Sequence, residues 1–157
     1  MNLSKNFTLA EYTKSQTALR HDLDNTPNEE HLEAARELFE NVIQKVRDRF
    51  GPTVINSGYR GPELNEKVGG SPTSQHCFGE ACDIECPGIP NAEVAQWIVD
   101  HTEFDQVILE FAQKGVPDAG WVHVSYKADG KNRRSILTAL RDSETRKTVY
   151  LNGLAHV

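Results

Sequence analysis

Apolar residues recur with a helical spacing in the first third of the chain and in short β-branched runs after it. The positions that share one helical face are Leu32, Ala35, Leu38, Val42 and Val46. They predict a helix over residues 27–50 that ends at Gly51. Residues 8–11 and 26–29 both have the capping-box pattern, a Thr followed three residues later by Glu. We therefore expect a short helix after the first and the long helix after the second.

The remainder of the chain is dominated by short runs that favour β-strands. These runs cover residues 53–57, 81–86, 104–111, 121–127, 136–140 and 148–151. A helix that Asn91 can cap precedes the third run, and residues 128–131 have the composition of a hairpin turn. Helices followed by mostly adjacent strands predict an α+β fold, with N-terminal helices packed on a small, mainly antiparallel sheet. No repeat or linker divides the chain, which predicts one domain over residues 1–157.

The stretch from His76 to Asp83 places an imidazole and a carboxylate seven residues apart. Because side chains alternate along a strand, this odd spacing would put the two on opposite faces, and a bend at Gly79 is needed for them to converge. In the strand after the bend, Asp83 would point away from the face occupied by Cys82. A neighbouring strand could present His123 beside Asp83. Two histidines and one aspartate are a sufficient ligand set for a zinc ion with an open position.

Composition limits the classes of partner. The 157 residues include 17 Lys and Arg against 23 Asp and Glu, a net charge of −6, which argues against nucleic acid or an anionic membrane as the main partner. The first residues lack the apolar stretch of a secretory signal, and no apolar run is long enough to span a membrane. We therefore expect a protein made in the cytoplasm without an export signal of its own.

Two further groups of potential ligands are interpreted as structural. Three cysteines lie within ten residues, and their odd number favours reduced, buried thiols over disulfides: Cys77, Cys82 and Cys86. The other histidines are interpreted as helix-end, loop or tail residues: His21, His31, His101 and His156. The metal hypothesis therefore depends on His76 and His123.

The pattern Ser-x-His-x-x-Gly-x-Ala-x-Asp over residues 74–83 is preceded by Ser-Gly-Tyr-Arg at 57–60 and followed by Trp-x-His at 121–123. Together these motifs resemble the zinc D-alanyl-D-alanine carboxypeptidase and L-alanyl-D-glutamate endopeptidase family, whose metal framework also occurs in the hedgehog amino-terminal signalling domain. The resemblance covers roughly residues 7–126. It implies a zinc peptidase that cuts peptide bonds in peptidoglycan stem peptides or cross-links, with a zinc-bound water as nucleophile.

The resemblance also implies roles for individual residues. It assigns zinc binding to three residues, His76, Asp83 and His123. Arg60 would bind a substrate carboxylate or polarise the scissile carbonyl, and Ser74 would support the substrate or the metal loop through its hydroxyl. A structural salt bridge for Arg60 and a simple turn role for Ser74 are the alternatives.

Two carboxylates are candidates for the general base that takes a proton from the attacking water. Glu110 follows apolar residues at the end of a predicted strand, where an ionised group costs desolvation energy and is less easily explained as solvated. Asp118 lies in a segment with turn composition, where Asp commonly bonds its own backbone. This contrast favours Glu110.

Two other functions remain open at this level. One is a non-catalytic, zinc-containing module that binds peptidoglycan or protein, and the other is a cysteine-based enzyme that uses Cys77, Cys82 and Cys86. The favoured prediction is a monomeric peptidoglycan hydrolase of phage type. It would reach the cell wall after release from the cell or as part of a virion.

Overall fold

The fold was derived from a computed structural model that describes residues 1–116 and 118–155. The predicted tail residue His156 therefore lies outside the described residues. A two-stranded antiparallel sheet comes first, made of β1 (Asn2–Ser4) and β2 (Phe7–Thr8). Two short helices follow, α1 (Leu9–Thr13) and α2 (Gln16–Arg20). The predicted capping box of α1 is confirmed, because the Thr8 and Glu11 side chains each accept from the other's backbone N–H.

The predicted long helix is present but starts later than expected. It comprises α3 (Glu29–Leu38), a π-helical turn (Phe39–Ile43) and α4 (Gln44–Phe50). Gly51 ends it with a φ of 88°. The predicted capping box at 26–29 is wrong, because Asn28 caps the helix by accepting from the His31 N–H at 2.8 Å. An asparagine directly before the first turn reaches that N–H without the help of Thr26.

A six-stranded sheet occupies the rest of the described chain, in the order β3-β4-β6-β5-β7-β8. Its strands are β3 (Val54–Ser57), β4 (Ala81–Glu85), β5 (Gln106–Glu110), β6 (Trp121–Ser125), β7 (Ser135–Arg141) and β8 (Thr148–Asn152). Helix α5 (Pro62–Lys67) follows β3, and α6 (Asn91–His101) follows β4. Within the part of the chain that the structure describes, no helix has the length and hydropathy needed to cross a membrane.

The α+β class is confirmed, but the expectation of a small, mainly antiparallel sheet is corrected to a larger, mixed one. β5 and β7 pair in parallel, and the other neighbours pair antiparallel. The turn at 128–131 does not join a hairpin, because β6 already pairs with β4 on one edge and β5 on the other. β7 must therefore pass to the free edge of β5, where it runs parallel to that strand.

The helices cover one face of this sheet and leave the opposite face to the site. Core side chains from the strands include Cys82, Ile84, Val107, Leu109, Val122 and Val124, each with at most 2% of its surface exposed. Helix residues pack against them, among them Leu38, Phe39, Val42, Val94 and Ile98. The expectation that Cys82 faces the core is confirmed, and all three cysteines are buried, free thiols.

Helix α6 also differs from the expectation at its first residue. Pro90 occupies the capping position, and Asn91 is the first helical residue. The Asn91 side-chain amide instead donates to the carbonyls of Ala119 and Gly120, at 2.9 and 3.1 Å. Asn91 therefore holds the connection between β5 and β6 and does not cap the helix.

Candidate metal centre

Strand register places two of the predicted ligands side by side. Asp83 of β4 and His123 of β6 are direct cross-strand partners, and Ile108 of β5 continues the same row. Residues directly opposite each other in an antiparallel pair project from the same face, so both side chains leave the sheet on the side away from the helices. The cross-strand pairing of β4 and β6 therefore brings Asp83 and His123 together, as predicted.

The third predicted ligand arrives from a short turn. His76 lies in a 3₁₀ turn (Gln75–Phe78) that ends at Gly79, whose φ of 74° is the left-handed conformation expected for the bend. A side chain at Gly79 would also overlap the His31 backbone. One ligand atom from each of His76, Asp83 and His123 lies within 4.8 Å of the other two.

A hydrogen bond to the backbone fixes the His76 ring. Its Nδ1 lies 2.8 Å from the carbonyl oxygen of Gly58, which can only accept, so Nδ1 carries the proton and Nε2 keeps its lone pair. Such a bond to the second ring nitrogen is the usual way that proteins orient a metal-binding histidine. Gly58 itself has no room for a side chain, since an added Cβ would lie 2.6 Å from Tyr12 Cδ1 and closer still to the Tyr12 carbonyl.

The Asp83 carboxylate is held in its charged form. Burial would raise its pKa, but the hydrogen bond from His123 and the proximity of the His76 ring act against burial and keep the pKa well below its usual range. Asp83 Oδ1 lies 2.9 Å from His123 Nδ1 and 3.5 Å from His76 Nε2. Two imidazole nitrogens and one carboxylate oxygen form a donor set that suits zinc, so the residues present fit this ion.

Arg60 and Ser74 lie next to the His76 turn. The Arg60 Nη2 donates to Ser74 Oγ at 3.3 Å, and the same oxygen accepts from the His76 N–H at 3.3 Å. Ser74 therefore caps the turn and also holds the guanidinium. Among the described residues, no carboxylate forms an ion pair with Arg60, and its buried Nε has no hydrogen-bond partner. The guanidinium therefore has unused donors at the edge of the cluster.

The two candidate bases occupy different places. Glu110 ends β5 opposite Trp121 and lines the same cleft as the three potential ligands. Burial raises its pKa, and the charge of Asp83 adds to this effect. Asp118 is exposed and lines a separate groove beside Asn56. Only Glu110 shares the cleft with the metal cluster.

The cleft is about 780 Å³ in volume and includes residues that no sequence motif indicated. Among them are Glu80, Gln106, Ile108, Lys127, Arg133 and Tyr150. Strand alternation from Glu110 could have found Gln106 and Ile108, because they share its face of β5. The neighbours of Arg133 and Tyr150 depend on the passage of β7 to β5, and no local pattern signals that passage.

The three remaining described histidines lie outside the metal cluster. His21 ends α2, and His101 ends α6 with its ring stacked on Trp97. His31 Nδ1 lies 3.0 Å from the Tyr59 hydroxyl, and its ring meets Phe78 edge to face. His31 and His101 therefore have local packing roles, and His21 is an exposed residue at a helix end.

The sheet presents two histidines and an aspartate in an open cleft beside a partly buried glutamate, an arrangement that suits metal-assisted hydrolysis. The family model for Peptidase M15 matches residues 5–125, which includes all three potential ligands. The chain belongs to the Peptidase M15 family, whose members are zinc-dependent peptidases. No curated protein matches the chain.

Proposed function

We propose that the protein is a zinc metallopeptidase that hydrolyses an amide bond in the peptide part of peptidoglycan. The observation that carries the proposal is the presence of the metal cluster, Glu110 and Arg60 in one open cleft. Membership of the Peptidase M15 family supports a zinc peptidase. The motif resemblance at residues 57–60 and 74–83 supports peptidoglycan stem peptides as the substrate.

His76, Asp83 and His123 would hold the zinc ion, with one oxygen and two nitrogen donors. When bound, zinc supplies a Lewis acid that polarises the scissile carbonyl and lowers the pKa of a coordinated water to about 7. Glu110 would accept a proton from the attacking water and deliver it to the leaving amine. Its raised pKa favours this exchange, since a base whose pKa lies nearer neutrality both accepts and returns a proton readily.

Arg60 would orient the substrate through its free guanidinium donors. The planar fork can form two parallel hydrogen bonds with a carboxylate or one with a carbonyl. Ser74 would restrict the guanidinium to one position, because its hydroxyl already accepts from Arg60 Nη2. The resemblance extends the proposal to a phage-type enzyme, and we further propose that it acts as a monomer.

The test compares two variants on purified cell walls. Zinc-loaded wild-type protein and Asp118→Asn should release peptide fragments with new amino and carboxyl ends, detected by mass spectrometry. Glu110→Gln should retain one zinc ion per chain and lose at least about 100-fold in rate, the usual contribution of a general base. Binding to walls without fragment release, by fully zinc-loaded wild-type protein, would instead support a non-catalytic module.

A further inference from the structure

One end of the cleft carries charged side chains that the proposed hydrolysis does not use. We call it the polar end, defined by Glu80, Lys127 and Arg133. Lys127 and Arg133 come from the connection between β6 and β7, which lies beyond the segment matched by the family model. This end therefore depends on a part of the chain that the family model does not cover.

Backbone bonds hold the polar end together. The Tyr126 N–H donates to the Glu80 carbonyl at 2.9 Å, which places Lys127 next to Glu80 where β4 and β6 begin to pair. The Lys127 N–H donates to Asn132 Oδ1 at 2.8 Å, which ties Lys127 to the loop that carries Arg133. The three side chains therefore belong to one connected structure.

One side of the Arg133 guanidinium is bonded within the protein, and the other side has free donors. Its Nε and Nη2 donate to the carboxylate of Asp105, which is fully buried, and Nη2 also lies 3.3 Å from Gln75 Oε1. Among the described residues, none accepts from Nη1, and 54% of the side chain, which lines the cleft, is exposed. The guanidinium is thus a preorganised donor with one pair of N–H groups available.

The charges at this end come in both signs. Asp105 lies beneath the cleft floor and already pairs with Arg133, so the groups that face a ligand are Arg133, Lys127 and Glu80. Lys127 forms no ion pair among the described residues. Burial raises the pKa of Glu80, and the charges of Asp105 and Asp129 add to this, whereas the Gln75 side chain and Lys127 act against it. A purely anionic ligand would be repelled by Glu80, and a purely cationic one by Arg133 and Lys127. A ligand that carries both charges can pair with all three side chains.

We propose that the polar end binds a free amino-carboxylate on the substrate, with the carboxylate at Arg133 Nη1 and Lys127 and the ammonium at Glu80. Glu80 lies three residues from Asp83, so the group would sit roughly 10 Å along the strand from the metal cluster. Within peptidoglycan, diaminopimelate side chains end in such a group, whereas lysine side chains end in an ammonium alone. The inference rests on the proposed function and adds a preference for diaminopimelate-type stem peptides.

The test uses two stem pentapeptides that differ only at the third residue, meso-diaminopimelate or L-lysine. Binding is measured by calorimetry on zinc-loaded Glu110→Gln protein, which should not cleave them. We expect the diaminopimelate peptide to have a Kd at least tenfold lower. Lys127→Met and Arg133→Lys should each bring the Kd values of the two peptides towards equality. Arg133→Lys does so while keeping a positive charge opposite Asp105. Lys131→Met removes an exposed charge from the same loop and should leave the ratio unchanged.

Equal Kd values for the two peptides, or a ratio that survives both substitutions, would overturn the inference. Hydrolysis by the wild-type protein separates it from the proposed function. Cleavage of both peptides with equal kcat/KM would leave the peptidase standing and remove the polar-end preference. If zinc-loaded wild-type protein binds the two peptides with different Kd values but cleaves neither, the polar-end preference stands and the proposed peptidase activity is wrong.

Discussion

Gly58 gives the sharpest structural prediction, because its carbonyl orients a potential ligand and its Cα has no space for a side chain. The substitution Gly58→Ala would place a Cβ 2.6 Å from Tyr12 Cδ1 and closer to the Tyr12 carbonyl. Tyr12 cannot retreat, since it is fully buried with its ring 5.1 Å from that of Phe39. The strand end that carries Gly58 must therefore move.

The movement has two measurable costs. It breaks the bond from the Tyr59 N–H to the Tyr12 carbonyl, 2.9 Å, worth about 1 kcal/mol, and overpacks a full core for about 1–3 kcal/mol. A loss of about 2–4 kcal/mol should lower the Tm of the metal-free protein by about 5–15 °C. It also shifts the carbonyl that holds His76 Nδ1, and losing such an orienting bond lowers metal affinity by about 10–100-fold.

The assay is thermal unfolding by circular dichroism, together with zinc affinity measured by competition with a chromophoric chelator. Gly61→Ala is the matched control in the same loop, because its nearest neighbour would lie at an ordinary 3.5 Å and its φ is −61°. It should cost less than about 1 kcal/mol and leave zinc affinity unchanged. Wild-type Tm and zinc affinity in Gly58→Ala, or equal damage in Gly61→Ala, would refute the reasoning.

Two further predictions concern the buried Asp105 carboxylate and the three buried thiols. Asp105→Asn should lower stability by about 2–3 kcal/mol at pH 7, because it breaks a pair whose carboxylate is buried and whose Arg133 is half exposed. Burial alone would raise the pKa of Asp105, but hydrogen bonds from Arg133 outweigh burial and lower it. The stabilisation from this ion pair is therefore fully present above the ordinary pKa of 3.8, and it is lost as the pH falls through the lower pKa of the folded state. Urea unfolding from pH 7 to pH 3 should therefore show the two proteins converging in acid, and a constant difference would contradict this. Iodoacetamide should leave the native protein active, because burial raises the pKa of all three thiols. Rapid inactivation with stoichiometric labelling would revive a cysteine-based mechanism.

The part of the site that local patterns determine could be predicted from the sequence. Alternation along β4 separates Asp83 from Cys82, and the odd spacing from His76 requires a bend that Gly79 provides. These are properties of neighbouring residues, so they are visible without knowing which strands pair. The cross-strand pairing of Asp83 with His123 follows once β4 and β6 are adjacent.

The part that depends on distant pairing could not be predicted. The turn at 128–131 has hairpin composition, yet both edges of β6 are occupied and β7 pairs with β5. That choice decides where Arg133 and Tyr150 lie, and therefore the far wall of the cleft. The capping error has a similar origin, because Thr26 and Asn28 are both good caps and only the path of the chain selects between them.

The central claim is that zinc held by His76, Asp83 and His123 drives hydrolysis of a peptidoglycan peptide. The most direct measurement is a zinc titration of metal-free protein, with bound zinc and the rate of stem-peptide cleavage followed in the same samples. The account predicts that the rate rises in proportion to bound zinc and reaches its plateau at one ion per chain. Full zinc occupancy without cleavage, or cleavage that does not depend on zinc, would contradict it.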